Sequence, residues 1–124
     1  MTLQVLRAEL SICRVGSAEE LDLSRELYFI GRTDEEISLV CRSEDVPAAP
    51  LERSDGWRGF HIQGTLDFSL VGILSRILQV LAEEKISVFA VSTYNTDYVL
   101  VRQEVLKRAL AALSAAGYQI TREE

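Results

Sequence analysis

The stretch SLVGILSRILQVLAEEKISVFAVSTYNTDYVLV, residues 69–101, contains both of the apolar periodicities from which the fold can be predicted. Apolar residues recur every three to four positions over 69–84, which predicts a helix with one broad apolar face. The almost wholly apolar run 86–91 predicts a strand that is covered on both sides. A polar turn at 94–96 and a further strand over 97–101 complete a predicted hairpin.

The sequence on either side of this stretch completes an alternation of strands and helices. Residues 57–65 are typical of a strand, and residues 104–116 place their apolar side chains on one helical face. Gly117 comes next, at the position where a helix end favours a left-handed residue, and 118–121 predict a last short strand. The order β-α-β-β-α-β is that of the ferredoxin-like motif. It predicts an α+β fold in which two helices cover one face of a four-stranded antiparallel sheet.

The sequence of the first half of the chain predicts several strands, and its helix signals are weaker than those of the second half. Its β-rich runs lie at 3–14, 27–31 and 37–41, the last two forming a hairpin. Ser17 opens a short helix, and Glu20 three residues later completes a capping box. The segment 43–56 contains Pro47 and Pro50, which a long helix does not accommodate, so it is interpreted as a connector between the two halves.

The two predicted hairpins are related by a weak internal repeat. FIGRTDEEISLVCR, residues 29–42, aligns without a gap on FAVSTYNTDYVLVR, residues 89–102. Three positions are identical: Phe29 and Phe89, Thr33 and Thr93, Arg42 and Arg102. The repeat predicts two tandem units, a degenerate first unit with its connector over 1–55 and a complete second unit over 56–124.

Composition and charge limit the partners that we expect. Apolar residues make up 48% of the 124 residues, which suits two halves that share a core better than two independent cores. The net charge is −6 and no basic cluster is present, which argues against a nucleic-acid partner. No run has the roughly 20 apolar residues of a membrane-spanning helix, and Met1–Leu10 does not resemble a signal peptide. We therefore expect a cytoplasmic protein without a membrane partner.

Few residues in the sequence are suited to hold a metal or a cofactor. Cys13 and Cys41 lie in apolar strands and are predicted to be buried thiols. His61 is the only histidine, and no cluster of histidine, cysteine and carboxylate has metal-ligand spacing. Gly64 and Gly72 fit neither phosphate-loop nor dinucleotide spacing. We expect no metal and no cofactor.

Four segments of the sequence resemble the ACT domain family. They are EISLVC (36–41), GWR (56–58), GTLDFSLVGIL (64–74) and ISVFAVSTYNTDY (86–98). The resemblance is to small tandem bacterial members, which are similar to the ACT units of the animal cytosolic arginine sensors. It implies an αβ sandwich that binds an amino acid or a similar metabolite where units meet, and side-by-side pairing of units. Either the two halves of one chain supply that pairing or two chains do so as a homodimer, which is the state that we expect. Lys85 departs from the family, because many ACT units have glycine between the first helix and the second strand.

The segment 67–73 is the main candidate for a ligand site: Asp67, Phe68, Ser69, Leu70, Val71, Gly72 and Ile73. The first turn of a helix has unpaired N–H groups and a partial positive charge, which a ligand carboxylate can satisfy. Asp67 can pair with an α-ammonium group, Gly72 permits close approach to the backbone, and Phe68 is placed to line a pocket. The alternative is that Asp67 or Ser69 simply caps the helix.

Four further residues are candidates for the same site. Thr93 and Asp97 lie in a turn that is unusually polar for its apolar surroundings. Glu36 and Ser38 begin the corresponding strand of the first half, and the resemblance implies that they face the ligand. The alternatives are a well-formed hairpin turn, stabilised by its own side chains, and a solvated Glu36.

These observations favour a regulatory module that binds a small molecule, an amino acid by the resemblance, and acts in trans on another protein. A structural or adaptor module, whose sheet edge or helix face pairs with a partner regardless of ligand, is the alternative. The sequence offers no nucleophile–base pair, metal cluster or cofactor loop, so we do not expect an enzyme.

Overall fold

A computed structural model describes residues 1–64 and 71–124 of the chain. These residues form two compact units. Ala8–Trp57 form the inserted unit, and the segments on either side of it, Met1–Arg7 and Arg58–Glu124, together form the outer unit. The sequence prediction leaves the first seven residues in the first unit, whereas the structure groups them with the second half. The assignment of tandem units to 1–55 and 56–124 stays a prediction.

The described residues form eight strands and two α-helices: β1 (Thr2–Val5), β2 (Leu10–Val15), β3 (Tyr28–Arg32), β4 (Ile37–Arg42), β5 (Glu52–Ile62), α1 (Ile73–Glu83), β6 (Phe89–Ser92), β7 (Asp97–Arg102), α2 (Leu106–Ala115) and β8 (Gln119–Arg122). Short 3-10 helices lie at Ala18–Glu20, Ser43–Asp45 and Gln103–Val105. Within the described part of the chain, no helix is long and apolar enough to span a membrane.

The inserted unit contains an antiparallel sheet in the order β3, β4, β2 and the first part of β5. Its first element after β2 is the predicted short helix, and the capping box of Ser17 and Glu20 is confirmed. The predicted single strand over 3–14 is wrong, because β1 ends at Val5 and β2 begins at Leu10. The Arg7 N–H donates to the Glu123 side chain at 3.1 Å instead of to a strand partner, so the ladder is interrupted there.

The predicted connector over 43–56 is partly wrong as well. It begins with the 3-10 helix Ser43–Asp45, only 46–51 are irregular, and Glu52 already starts β5. Pairing with β2 makes this segment a strand, with one extra residue in β5 between the partners of Leu10 and Ile12. Gly56 has φ 81 in this bulge, a left-handed conformation that glycine adopts without steric cost.

The outer unit contains a sheet in the order β6, β7, β5, β1 and β8. β6 and β7 are antiparallel, β1 and β5 are antiparallel, and β1 and β8 are parallel. The predicted four-stranded antiparallel sheet therefore has a fifth strand, β1, which lies between β5 and β8. The prediction that the strand over 86–91 is covered on both sides is also wrong, because Ala90 and Ser92 of β6 are exposed.

Both helices of the outer unit pack on one face of its sheet, as predicted. Alternate residues of three strands face the same core: Leu3 and Val5, Phe60 and Ile62, Val99 and Val101. Buried residues of α1 and α2 complete it: Ile77, Leu81, Leu106, Ala109, Leu110 and Leu113. Because side chains alternate across a strand, residues two apart share a face. The α+β, ferredoxin-like fold class is confirmed.

Both helices end in the same hydrogen-bonded motif. At the end of α1, the Lys85 N–H donates to the Ala82 carbonyl at 2.9 Å and the Ile86 N–H to the Leu81 carbonyl at 3.0 Å. The Gly117 and Tyr118 N–H groups bond the end of α2 in the same way. This Schellman motif requires a left-handed residue after the helix. Gly117 has φ 104, whereas Lys85 has φ 58 in spite of its side chain.

Replacing Lys85 by glycine should therefore stabilise the protein. A left-handed conformation costs a residue with a side chain roughly 1–2 kcal/mol, and the greater unfolded-state entropy of glycine offsets about 0.5–1 kcal/mol of that gain. We expect Lys85→Gly to raise the free energy of unfolding by about 0.5–1 kcal/mol in urea titrations. Lys85→Ala keeps the strain and should change it little, while Gly117→Ala should lower it. Equal stability of the glycine and alanine variants at position 85 would contradict this account.

Strand pairing is the same in the two hairpins when their residues are aligned by the internal repeat of the sequence. Two pairs illustrate it: Phe29 with Val40, and Phe89 with Leu100. Their turns are also equivalent, since the Thr33 N–H donates to the Glu36 carbonyl at 2.9 Å and the Thr93 N–H to the Thr96 carbonyl at 2.9 Å. The predicted correspondence of the two hairpins is thus present in their backbone pairing.

After each hairpin the chain enters a 3-10 helix, and beyond that point the two copies diverge. Ser43–Asp45 and Gln103–Val105 occupy equivalent positions. In the outer unit the chain continues directly into α2. In the inserted unit the chain reaches Pro47, which has no N–H to donate and interrupts helical bonding. The first copy therefore lacks the counterpart of α2.

Candidate functional site

The amino end of α1, in the outer unit, contains three of the predicted ligand-binding residues. Val71 is 84% exposed, Gly72 precedes the helix, and Ile73 is its first residue. The other four lie outside the described residues: Asp67, Phe68, Ser69 and Leu70. A pairing of Asp67 with a ligand ammonium group therefore stays a prediction.

Gly72, and neither Asp67 nor Ser69, is the residue that caps α1. Its φ is 79, and its carbonyl accepts the Arg76 N–H at 3.0 Å. A Cβ at this position would meet no atom within 4 Å, so the left-handed backbone and not crowding favours glycine here. The predicted helix start at 69 is too early, because α1 begins at Ile73. A glycine cap has no side-chain oxygen to satisfy the first N–H groups of the helix.

A cavity of about 270 Å³ lies beside this helix start, within the outer unit. Ile73 and Arg76 of α1 line it together with Tyr118, which follows the end of α2. Met1, Ala116 and Gly117 complete the lining. Ile73 and Tyr118 also pack against the core, so the cavity has an apolar wall attached to a rigid part of the fold.

Arg76 is the charged side chain of this cavity. Within residues 1–64 and 71–124, no carboxylate forms an ion pair with its guanidinium. A guanidinium without a protein partner favours an anionic ligand group, because it can bind a carboxylate through two parallel N–H donors. Sequence analysis missed Arg76 and Tyr118. The available signal was Arg76 itself, the one basic residue of the amphipathic helix α1.

The polar side chains of the β6–β7 turn form hydrogen bonds with other groups of the same turn. The Thr93 hydroxyl donates to the Thr96 carbonyl at 3.1 Å, and Asp97 accepts the Ser92 hydroxyl at 2.5 Å. Thr96, which the prediction did not include, is 7% exposed and donates to the Ile62 carbonyl at 2.8 Å. The turn is thereby fixed to the end of β5. These bonds favour the interpretation of Thr93 and Asp97 as residues that stabilise the turn.

Glu36 and Ser38 lie in the inserted unit, at the start of β4. The Ser38 hydroxyl donates to the Glu36 carboxylate, and Glu36 is exposed. The backbone N–H of Glu36 donates to the Thr33 hydroxyl at 3.2 Å. A role of this pair in ligand binding stays a prediction.

A polar cluster that the sequence did not reveal lies at the bulge of the inserted unit. Ser11 is fully buried, donates to Asp55, and lies 2.7 Å from the Ser43 hydroxyl. Asp55 also accepts a hydrogen bond from Arg53 at 2.8 Å. Donation from Ser11 and then from Arg53 lowers the pKa of the Asp55 carboxyl. The buried Ser11 hydroxyl is thereby hydrogen-bonded within the protein, as buried polar groups in folded proteins are, which favours a structural role.

A second cavity, of about 510 Å³, lies in the inserted unit and is lined by charged side chains. Arg42 pairs with Glu26 at 3.0 Å, and Arg25 lies 3.6 Å from Asp45. Because its cations already have carboxylate partners, this cavity offers less driving force for an anionic ligand than the cavity at Arg76.

Cys13 and Cys41 are free and buried, as predicted. Burial is the main reason that the pKa of each thiol is raised, and it raises the pKa of Cys41 to about 12. The thiolate is the reactive form, so these thiols are poor nucleophiles near neutral pH.

His61 has partners for both ring nitrogens within the outer unit. Its Nε2 lies 2.9 Å from the Gln4 side-chain oxygen, and its Nδ1 lies 3.1 Å from the Ile62 carbonyl. Its ring stacks on Tyr98 with centroids 5.0 Å apart. Among the described residues, no three histidine, cysteine or carboxylate side chains form a group that could hold a metal ion.

The outer unit, together with the end of the inserted unit, matches a known family. The sequence matches the ACT domain family over residues 52–115. The chain belongs to the ACT domain family. ACT domains are regulatory modules that bind small molecules, typically amino acids. No curated protein is significantly similar to this ACT-domain chain.

Solved structures with the same fold cover nearly the whole ACT-domain chain. A protein from Agrobacterium tumefaciens is 29% identical with a TM-score of 0.86, covering 99% of this chain and 93% of that one. A Vibrio cholerae protein of unknown function, described as a possible transport protein, is 26% identical with a TM-score of 0.75, covering 90% and 86%. The ligand-free regulatory subunit of aspartate kinase from Thermus thermophilus is 9% identical with a TM-score of 0.66, covering 94% and 97%. At that identity the likeness concerns the fold alone.

Proposed function

We propose that this chain is an amino acid-binding regulatory module that acts in trans on a separate protein and is not itself an enzyme. The observation that carries the proposal is the cavity at the start of α1, in which the Arg76 guanidinium, unpaired among the described residues, lies beside an apolar wall. An amino acid presents a carboxylate next to an apolar carbon skeleton, and so it matches both features. Membership in the ACT family supports the same ligand class.

Action in trans has support from the fold comparison. The Thermus thermophilus protein is a regulatory subunit and has 97% of its length covered by this chain. A chain of this size and fold can therefore be a regulatory subunit. A ligand would regulate the partner by favouring one of two states, which requires a difference in affinity between them. We place this activity in the cytoplasm.

A tandem arrangement and a homodimer are part of the same proposal. The shared register of the two hairpins supports a duplicated origin like that of the small tandem ACT proteins and of the animal arginine sensors. Among described strands, β3 pairs only with β4, and β6 only with β7, so each has an edge available. Unpaired strand edges favour side-by-side association. Light scattering should give twice the mass of the chain, and a monomer would contradict the dimer.

The ligand-independent adaptor remains the second candidate. It is favoured by the β6–β7 and β3–β4 turns, whose polar groups bond one another and leave little for a ligand. Affinity capture with and without amino acids separates the two functions. A partner retained equally in both conditions would favour the adaptor.

A thermal-shift screen of the twenty amino acids tests the proposed function. A ligand at 100 times its dissociation constant should stabilise the folded protein by about 2.7 kcal/mol. We expect at least one amino acid to raise the melting temperature at millimolar concentration. Asp67→Ala should abolish that shift if Asp67 binds the ammonium group, and full retention would remove it from the site. No shift with any amino acid would contradict the proposal.

A further inference from the structure

The charges around the Arg76 cavity restrict which amino acids it suits. Among the described residues, its lining contains one guanidinium and no carboxylate side chain. Met1, which carries the positively charged amino terminus, also lines the cavity, whereas a ligand ammonium or guanidinium side chain would have no acidic partner among the described lining residues. Taking such groups out of water without a partner is unfavourable. The lining therefore disfavours amino acids with basic side chains.

The residues of the lining that follow α2 suit the α-ammonium group of a ligand. Ala116 and Gly117 lie at the carboxyl end of α2, where the aligned peptide dipoles place partial negative charge. The Schellman bonds at this end use the carbonyls of Leu113 and Ser114, which lie further back in the helix. Arg76 and the end of α2 thus supply opposite charges to the same cavity.

The size and apolar wall of the cavity define the rest of the ligand. Drug-sized ligands occupy pockets of about 300–1,000 Å³, and about 270 Å³ suits a smaller molecule. Ile73 and Tyr118 are half-buried against the core and present apolar surface to the cavity. A short aliphatic side chain would bury its carbons against them.

From this geometry we infer that the ligand of the outer unit is an amino acid with a small aliphatic side chain. Its carboxylate binds Arg76, its ammonium group faces the end of α2, and its side chain packs on Ile73 and Tyr118. The inference rests on the proposed function and adds the ligand class and the residue that binds the carboxylate.

Isothermal titration of the full chain with valine, leucine, isoleucine, lysine and arginine tests this inference. We expect the aliphatic amino acids to bind and the basic ones to bind at least about tenfold more weakly. Arg76→Gln should weaken binding of the aliphatic ligands at least about tenfold, because it removes a charge-assisted hydrogen bond. Arg108→Gln, which changes an exposed arginine of α2, is the matched control and should bind as the native chain does.

Two analogues of leucine separate the recognition of its carboxylate from that of its side chain. 4-Methylpentanoate keeps the carboxylate and should still bind the native chain but not Arg76→Gln. Isoamylamine has no carboxylate and should bind neither the native chain nor Arg76→Gln.

Arg76→Gln and Arg108→Gln should both melt at the temperature of the native chain, because Arg76 and Arg108 are exposed.

The possible failures are distinguishable. If an amino acid binds equally well to the native chain and Arg76→Gln, or if the basic amino acids bind best, the inference is wrong while the proposed function stands. If none of the five binds but another amino acid gives a thermal shift, the ligand class is wrong and the proposed function again stands. If no amino acid binds at all, both are overturned.

Discussion

Replacing Phe60 by alanine should lower the free energy of unfolding by about 3–5 kcal/mol. Phe60 is fully buried in the outer-unit core, on β5 opposite Val5, and helix residues cover it. Removing its ring loses the burial energy and leaves a cavity that the rigid sheet and helices can fill only in part. Since a domain is stable by only about 5–15 kcal/mol, this loss is a large fraction of the total.

Urea denaturation followed by far-UV circular dichroism measures this effect. The midpoint should fall while the denaturant slope stays the same, because the surface exposed on unfolding hardly changes. Val71→Ala is the control: Val71 is an apolar residue that is 84% exposed, and its variant should lie within about 0.5 kcal/mol of the native chain. A loss below about 1 kcal/mol for Phe60→Ala would show that this core is not as closely packed as described.

Raising the pH above about 9 should destabilise the protein through Cys41. Burial raises the pKa of this thiol to about 12 in the folded state, from an ordinary value of 9.0. Between these values the unfolded chain has lost the thiol proton while the native chain keeps it. The native state then binds more protons, so stability falls as pH rises, by about 1.36 kcal/mol per pH unit. Below pH 9 the thiol is protonated in both states and contributes no pH dependence.

Comparison with Cys41→Ala isolates this contribution from that of other groups that titrate at alkaline pH. Between pH 8 and pH 10.5 the native chain should lose roughly 2 kcal/mol more than the variant does in urea titrations. In the same pH range, iodoacetamide should modify the thiols of the native chain far more slowly than those of the chain in urea. Parallel pH profiles for the two proteins would mean that Cys41 is not buried as the structure places it.

The outer unit could be predicted largely from local sequence patterns. The helix over 69–84, the hairpin turn at 94–96 and the left-handed Gly117 each depend on neighbours within one or two turns of chain. The structure contains all three, with α1 starting later than predicted, at Ile73. Gly72 explains that difference. Its positive φ is not helical, so the helix begins only at Ile73 although the apolar spacing begins earlier in the sequence.

Predictions of the site were weaker, for a physical reason visible at Thr93 and Asp97. Polar residues in a turn are equally suited to bind a ligand and to bond one another, and the sequence does not separate these roles. The hydrogen bonds from Thr93 to the Thr96 carbonyl and from Ser92 to Asp97 favour the second role. Arg76 and Tyr118 share a cavity although they are far apart in the chain, so no local pattern connects them.

The sequence by itself determined the order of strands and helices in the second half, the repeat of the hairpins and the buried state of both thiols, because these depend on local periodicity, turn chemistry and hydrophobicity. Only the tertiary structure decided that β1 joins the second half between β5 and β8, that residues 52–56 are a strand, and that Arg76 faces a cavity. Each of these depends on pairing or packing between distant segments. Such contacts are selected by the fit of the whole fold and leave no periodic trace in either segment.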